Sequence, residues 1–190
     1  MRITEIKAFP VWIAGRNLLV VKVETDTGIF GLGESGLSSR EQAVMGALRH
    51  FREFLIGQDP MRRGRIWQEL YRSQYFEGGR VLLAAQSAID IALHDLAGKA
   101  WGVPVYQLLG GKQRDFVPGF ATASGDTAEK VLAGVRLLTA HGWNAIRTMP
   151  VMSAPPSTPG IYEPRETLAP TADMLIKARQ DVGSGMTLGL

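Results

Sequence analysis

Apolar and polar residues follow two different rhythms along this chain. Residues 18–24 are rich in Val20, Val21 and Val23, β-branched side chains that suit a pleated, half-buried strand. Residues 3–8 predict a shorter strand. Thr25-Asp26-Thr27-Gly28 predicts a tight turn, because Asp and Gly tolerate the backbone angles a hairpin needs. Residues 29–33 then return, so the chain is expected to open with an antiparallel meander. From Ser38 the period lengthens to that of a helix. Val44, Ala47, Leu48, Phe51 and Leu55 fall on one face of a helix over 38–55, with Ser38 and Glu41 at capping-box spacing and Gly57 as its stop. Asp59-Pro60 predicts the start of a second helix, whose apolar face would hold Ile66, Trp67, Leu70 and Tyr71. Residues 75–79 read as a loop. Residues 81–101 are apolar around most of a helical circumference, which predicts a buried helix. Val103-Pro104 opens a short helix ending at Gly110-Gly111.

After Asp115 the order becomes strand (116–121), helix (127–140), strand (143–149), a loop rich in Pro and Ser (150–165), helix (166–180) and strand (186–190). That alternation is the signature of parallel βαβ units. Three parallel strands with two helices leave one edge and one face open. The 190-residue chain is therefore expected to be a fragment of a larger protein, or else to be completed by another chain.

Composition narrows the function classes. The chain is 45% hydrophobic and 21% charged, ordinary globular values, and has no cysteine, which excludes a disulfide framework and a thiolate metal site. Residues 1–10 carry Arg2, Glu5 and Lys7 where a signal peptide would need an apolar stretch. The longest apolar run, 81–97, is interrupted by Gln86, Asp90, His94 and Asp95, so no membrane span is expected and a cytoplasmic location is. The net charge is +3, and only Arg62, Arg63 and Arg65 cluster, which reads as a solvated helix face rather than a nucleic-acid surface.

Several motif-like signals are weaker than they look. Gly31-Leu32-Gly33-Glu34-Ser35-Gly36 fits G-x-G-x-x-G, but a dinucleotide fingerprint needs a parallel βαβ context, and here a hairpin arm precedes it. Asp90 and Asp95 lie about 140° apart around one helix and cannot form an acid/base pair; each is expected to bond a neighbouring backbone or Arg group. His94 reads as a packed or interface histidine, and His50 and His141 as residues near helix C-termini.

The most specific stretch is Ala84-Ala85-Gln86-Ser87-Ala88-Ile89-Asp90-Ile91-Ala92-Leu93-His94-Asp95-Leu96-Ala97-Gly98-Lys99, continued by Gly102-Val103-Pro104-Val105-Tyr106-Gln107-Leu108-Leu109-Gly110-Gly111. It closely resembles the signature helix of the mandelate racemase and muconate lactonizing enzyme group of the enolase superfamily. Gly31-Leu32-Gly33-Glu34 and Leu55-Ile56-Gly57-Gln58-Asp59-Pro60 resemble the same group, and the match runs in order from residue 1 to about 149. The resemblance implies an α+β capping domain, an antiparallel meander plus helices, over 1–114. The first βα units of a truncated, TIM-like (β/α) barrel would follow over 115–190.

What the resemblance implies chemically is removal of a proton next to a carboxylate, with Mg²⁺ neutralising the charge that develops. The family's first metal ligand ends barrel strand three, so the Mg²⁺ ligands are expected beyond Leu190. Many relatives carry Lys-x-Lys at the end of strand two; the matching positions are Arg147-Thr148-Met149. Without the lysine base a racemase or cycloisomerase is the lesser alternative, and a sugar-acid dehydratase of the galactonate or mannonate type the leading one. Arg147 and Tyr162 would be its catalytic residues, although Arg147 could instead bind the substrate carboxylate. Arg16 and Asn17, in a loop between the first strands, and Glu77 would read sugar hydroxyls. The partners implied are a small sugar acid and further copies of the chain, with neither nucleic acid nor membrane. A non-catalytic fragment or interaction module is the alternative from another class.

Overall fold

A computed structural model describes residues 1–72, 75, 76, 78–151 and 164–190. It divides into two compact units, Met1–Gln113 and Arg114–Leu190.

The first unit opens with three antiparallel strands, β1 (Ile3–Ile13), β2 (Arg16–Thr25) and β3 (Phe30–Ser35), in that spatial order. Leu19, Val21, Val23 and Thr25 alternate inward on the central strand, as a period of two requires. β1 does not stop at Ala8. It pairs residue by residue with β2 as far as Ile13↔Arg16, and Ala14 and Gly15 turn the chain with φ of 49° and 83°. Pro10 is tolerated because β1 is an edge strand, where a missing N–H can face away from the ladder. Arg16 and Asn17 are thus the first two residues of β2 rather than a loop.

Two helices cover one face of this sheet, and a third packs against one of them. On α1 (Glu41–Leu55) all five apolar residues of the expected stripe are buried. Its expected capping box does not form. The Ser38 hydroxyl donates to the Asn17 carbonyl at 3.1 Å, and the Glu41 carboxylate accepts from the Ser39 N–H at 2.6 Å. Gly57, at φ 84°, then lets its N–H reach the Ile3 carbonyl at 2.8 Å.

The second helix starts later than Asp59-Pro60 suggests. Asp59 accepts from the Met61 N–H at 3.0 Å, closing a separate turn, and α2 covers Arg63–Arg72. Of the apolar face expected on α2 only Ile66 is fully buried. Trp67 and Tyr71 stack on each other, ring centroids 5.0 Å apart, on the outside. An aromatic pair can cover its own apolar surface in this way without a place in the core.

The long helix α3 (Arg80–Trp101) is the centre of the unit, with Ala85, Ala88, Ile89, Ala92, Leu93 and Leu96 in the core. By length and a mean hydropathy of 1.2, α3 passes the test for crossing a membrane, as core helices also can. Half of that stretch is buried against the sheet and helices, as in a core helix. Gly31 and Gly33 explain how it packs. A Cβ on Gly33 would sit 2.0 Å from the Ala88 carbonyl oxygen, and one on Gly31 1.8 Å from that of Ala92. The glycines of the G-x-G-x-x-G string let a helix lie directly on a strand. Gly102, at φ 68°, ends α3, and α4 (Val105–Leu108) follows.

One ion pair ties β1 to α1 and gives this unit a defined response to acid. Arg52 Nε and Nη2 donate to the two Glu5 carboxylate oxygens at 2.6 and 3.1 Å, and the Ile6 N–H adds a third bond at 2.9 Å. The Arg52 guanidinium, then the Ile6 N–H, hold the Glu5 carboxyl down at about 2 against 4.5 for a free one. A carboxyl depressed by folding stabilises above its unfolded value, and that stability is lost as pH falls through the folded value. The loss should therefore fall between about pH 5 and pH 2. Both side chains are about one-third exposed, so solvent screens the pair. Glu5→Gln is expected to cost about 1 kcal/mol at neutral pH and to flatten the acid limb of the stability curve. Denaturant midpoints at pH 7 and pH 3 would check both; equal losses at the two pH values would rule out this account.

The second unit is a three-stranded parallel sheet of β4 (Ala121–Ala123), β5 (Ala145–Thr148) and β6 (Thr187–Gly189), in that order. Helices α5 (Ala128–Ala140) and α6 (Leu168–Val182) connect them, α6 preceded by a 3-10 turn over Pro164–Thr167. Thr127 caps α5 by accepting from the Lys130 N–H at 3.3 Å. Val131, Val135, Met174 and Ala178 pack with Ala123 and Ile146 as the core. The first strand is not at 116–121. Phe116, Val117 and Phe120 are exposed, and pairing begins only at Ala121, where β5 offers a partner. β5 and β6 are also shorter than expected, and α6 begins at Leu168 because the 3-10 turn takes up Glu166.

Candidate functional site

The candidate chemistry in the second unit gathers on one face of the parallel sheet. Along β5, Ile146 and Thr148 are buried toward α5 and α6. Alternation therefore puts Arg147 on the opposite face. Met149 continues that alternation just past the strand and is exposed. The register sets Thr122 of β4 and Gly189 of β6 on either side of Arg147, so the three make one row across the sheet. Gly189 leaves the space beside the arginine open, since a Cβ there would meet nothing within 4 Å. Thr148 stays on the other face and holds the neighbouring strand through a 3.2 Å bond from its hydroxyl to the Gly189 carbonyl.

The guanidinium carbon of Arg147 lies 5.4 Å from the centroid of the Phe120 ring. Phe120 immediately precedes β4, and this contact puts its ring on the Arg147 side of the sheet. Among the described residues Arg147 has no carboxylate partner, which leaves its donors open to a ligand. Sequence reasoning missed Phe120 because it was placed inside a longer strand.

Two other expected site residues, Tyr162 and Glu77, lie outside the described residues. Arg16 is exposed and Asn17 half-buried on β2 of the first unit, paired with Ile13 and Trp12.

The remaining candidates are structural. Asp95 accepts from the Leu32 N–H at 2.8 Å and pairs with Lys99 at 2.6 Å, so its cation is a lysine rather than an arginine. His94 Nδ1 lies 2.8 Å from the Asp90 carbonyl, which can only accept, so the ring proton sits there. His50 is a turn short of the end of α1 and meets the Phe54 ring edge-on, whereas His141 does cap α5. Arg65 pairs with Glu69 at 2.6 Å, Arg62 approaches Asp59 at 3.9 Å, and Arg63 lies over the Trp101 ring. Each arginine of that cluster thus has a local partner. An apolar cavity of about 330 Å³ between the first unit's helices is lined by Phe54, Tyr71, Phe76 and Leu82, and its Gln86 amide already bonds the Trp67 carbonyl. Of its lining, Glu69 is already engaged by Arg65 at 2.6 Å.

A carboxyl that serves as a general acid near neutral pH is held above its ordinary range. Glu5, Glu24, Glu69 and Asp126 are instead all pulled down by a neighbouring arginine or lysine. Among the described residues no group of three His, Asp or Glu side chains could hold a metal ion.

Comparison with known proteins puts this geometry in context. Residues 10–110 match the model of the mandelate racemase/muconate lactonizing enzyme N-terminal domain. The D-galactonate dehydratase of Pectobacterium atrosepticum is 42% identical over 150 residues, 77% of this chain and 38% of its own. The D-mannonate dehydratase of Caulobacter sp. (strain K31) is 40% identical over 84% of this chain and 41% of its own. A solved enolase from Pantoea ananatis with bound D-gluconate and Mg superposes with a TM-score of 0.86 at 30% identity, covering 98% of this chain and 52% of that one. A member of the enolase superfamily from Salmonella Typhimurium gives 0.84 at 29% identity, over 98% and 53%. The chain thus spans about two-fifths to one-half of the length of these relatives.

Proposed function

Because the chain belongs to the mandelate racemase/muconate lactonizing enzyme family, we propose that the complete protein is a Mg²⁺-dependent sugar-acid dehydratase. Residues 115–190 would begin its (β/α) barrel. The observation that carries this reading is Arg147, which faces away from the helices, free of any carboxylate among the described residues, where a lysine base would otherwise stand. In a closed barrel that face is the interior, and the C-terminal ends of the strands bear the chemistry.

The reaction would remove the proton from C2 of an aldonate and expel the C3 hydroxyl, giving a 2-keto-3-deoxy acid after tautomerisation. Arg147 is too basic to take that proton unaided. Beside a phenol, however, its positive charge lowers the phenol's pKa and favours the phenolate. Tyr162 would then accept the proton, with Arg147 holding the phenolate. The other role open to Arg147, gripping the substrate carboxylate with its fork of donors, uses the same exposed position. Arg16, Asn17 and Glu77 would read the sugar hydroxyls. The Mg²⁺ ligands would lie in the share of the relatives' length that this chain does not span. The names of the galactonate and mannonate dehydratases, and the gluconate in the Pantoea structure, support an aldonate as substrate. Met149 in place of a second lysine counts against a racemase.

The test is to assay the full-length protein with Mg²⁺ against D-galactonate, D-mannonate and D-gluconate, measuring 2-keto-3-deoxy acid. Turnover of at least one is expected. Racemisation without water loss, or no reaction with any, would overturn the proposal. The 190-residue chain alone is expected to give no product.

A further inference from the structure

We infer that Phe120 is a positioning residue that holds Arg147 ready for its acidic ligand; this rests on the reading of Arg147 as a group that meets the substrate. An arginine side chain has four rotatable bonds, and a free one loses considerable rotamer entropy when it is fixed. Proteins commonly fix such a side chain with a carboxylate. That would occupy its N–H donors and cancel its charge, both of which an anionic substrate or phenolate needs. An aromatic face avoids both losses. It attracts the guanidinium through the ring quadrupole and takes none of the donors.

The local structure is built for this arrangement. Phe120 immediately precedes β4, and its ring centroid is 5.4 Å from the Arg147 guanidinium carbon. The ring is 58% exposed in this chain, so the helix-side core does not account for a phenylalanine there. Small neighbours leave the contact room. Gly189 flanks Arg147 on one side and Thr122 on the other. Phe120 touches neither proton nor leaving group in this scheme; it acts through Arg147.

The test uses the full-length enzyme and the aldonate it turns over best. Phe120→Leu keeps an apolar side chain but removes the ring, and is expected to lower kcat/KM by roughly three- to thirty-fold. Phe120→Tyr keeps the ring face and is expected to stay within about twofold of the parent. Both thermal midpoints should lie within about 2 °C of the parent, as the side chain lies outside the helix-side core. A merely structural role would lower the midpoint with the rate and would not be rescued by tyrosine. Should Phe120→Leu lack a folded transition, Phe120→Met, closer in volume, carries the same comparison. The inference is overturned if the ring-less variant matches the parent, or if the tyrosine variant is equally impaired. Arg147→Gln measured alongside separates the two levels: if it turns over normally, the reading of Arg147 fails, whereas an inactive Arg147→Gln with a normal Phe120→Leu removes only the role of Phe120.

Discussion

Arg147→Lys in the full-length protein is expected to lower kcat/KM for its aldonate by at least about a hundredfold, the lower range for losing a group that serves proton transfer. The substitution keeps the positive charge and the strand, so a large loss would have to come from geometry. Arginine offers a planar fork of donors, and lysine a single ammonium on a flexible stem. At this position the fork would have to serve a carboxylate or phenolate while stacked on the Phe120 ring, whose centroid is 5.4 Å away. Gly189 beside it contributes no side chain that could stand in for a missing donor. Steady-state kinetics would also separate the two roles open to Arg147. Loss mainly in kcat indicates stabilisation of the reacting state, and a rise mainly in KM indicates simple gripping of the carboxylate. A variant within threefold of the parent in both would remove Arg147 from the mechanism.

Gly33→Ala is expected to destabilise the first unit by about 3 kcal/mol or more, near the upper end for overpacking. The added methyl would meet the Ala88 carbonyl oxygen at 2.0 Å, and that atom belongs to the backbone of α3. No rotamer can relieve such a contact; the helix must lift from the strand. Lifting it would also pull Leu93, Ile89 and Leu96 away from the sheet, since they share its core. Gly64→Ala is the matching control. It lies within α2, meets nothing within 4 Å, and should be neutral or stabilising by up to about 1 kcal/mol. Urea midpoints for the two variants would decide the matter, and a cost for Gly33→Ala below about 1 kcal/mol would mean that α3 does not pack on β3 as described.

These two predictions draw on different levels of the protein. The core faces of α1 and α3 were legible in the sequence, because each is set by a local period that burial then follows: Val44 to Leu55 along one stripe, Ala85 to Leu96 around one helix. The signature residues on α3 were equally legible, and the match over residues 10–110 bears out the family they suggested. Where an element ends was another matter. β1 runs on through Pro10 because β2 continues to pair with it, and β4 waits until Ala121 because β5 offers no earlier partner. The capping box at Ser38 failed because α1 starts only at Glu41, with Arg40 at the N-cap position, so Ser38 lies ahead of it. Trp67 and Tyr71 left the core because they could cover each other. For the candidate site the sequence by itself supplied Arg147 and the lysine pattern it departs from. Only the tertiary structure decided that Arg147 faces away from the helices, between Thr122 and Gly189 and over Phe120. Which way a strand residue points depends on strand register and on which face the helices cover, and both are fixed by contacts between segments far apart in the chain.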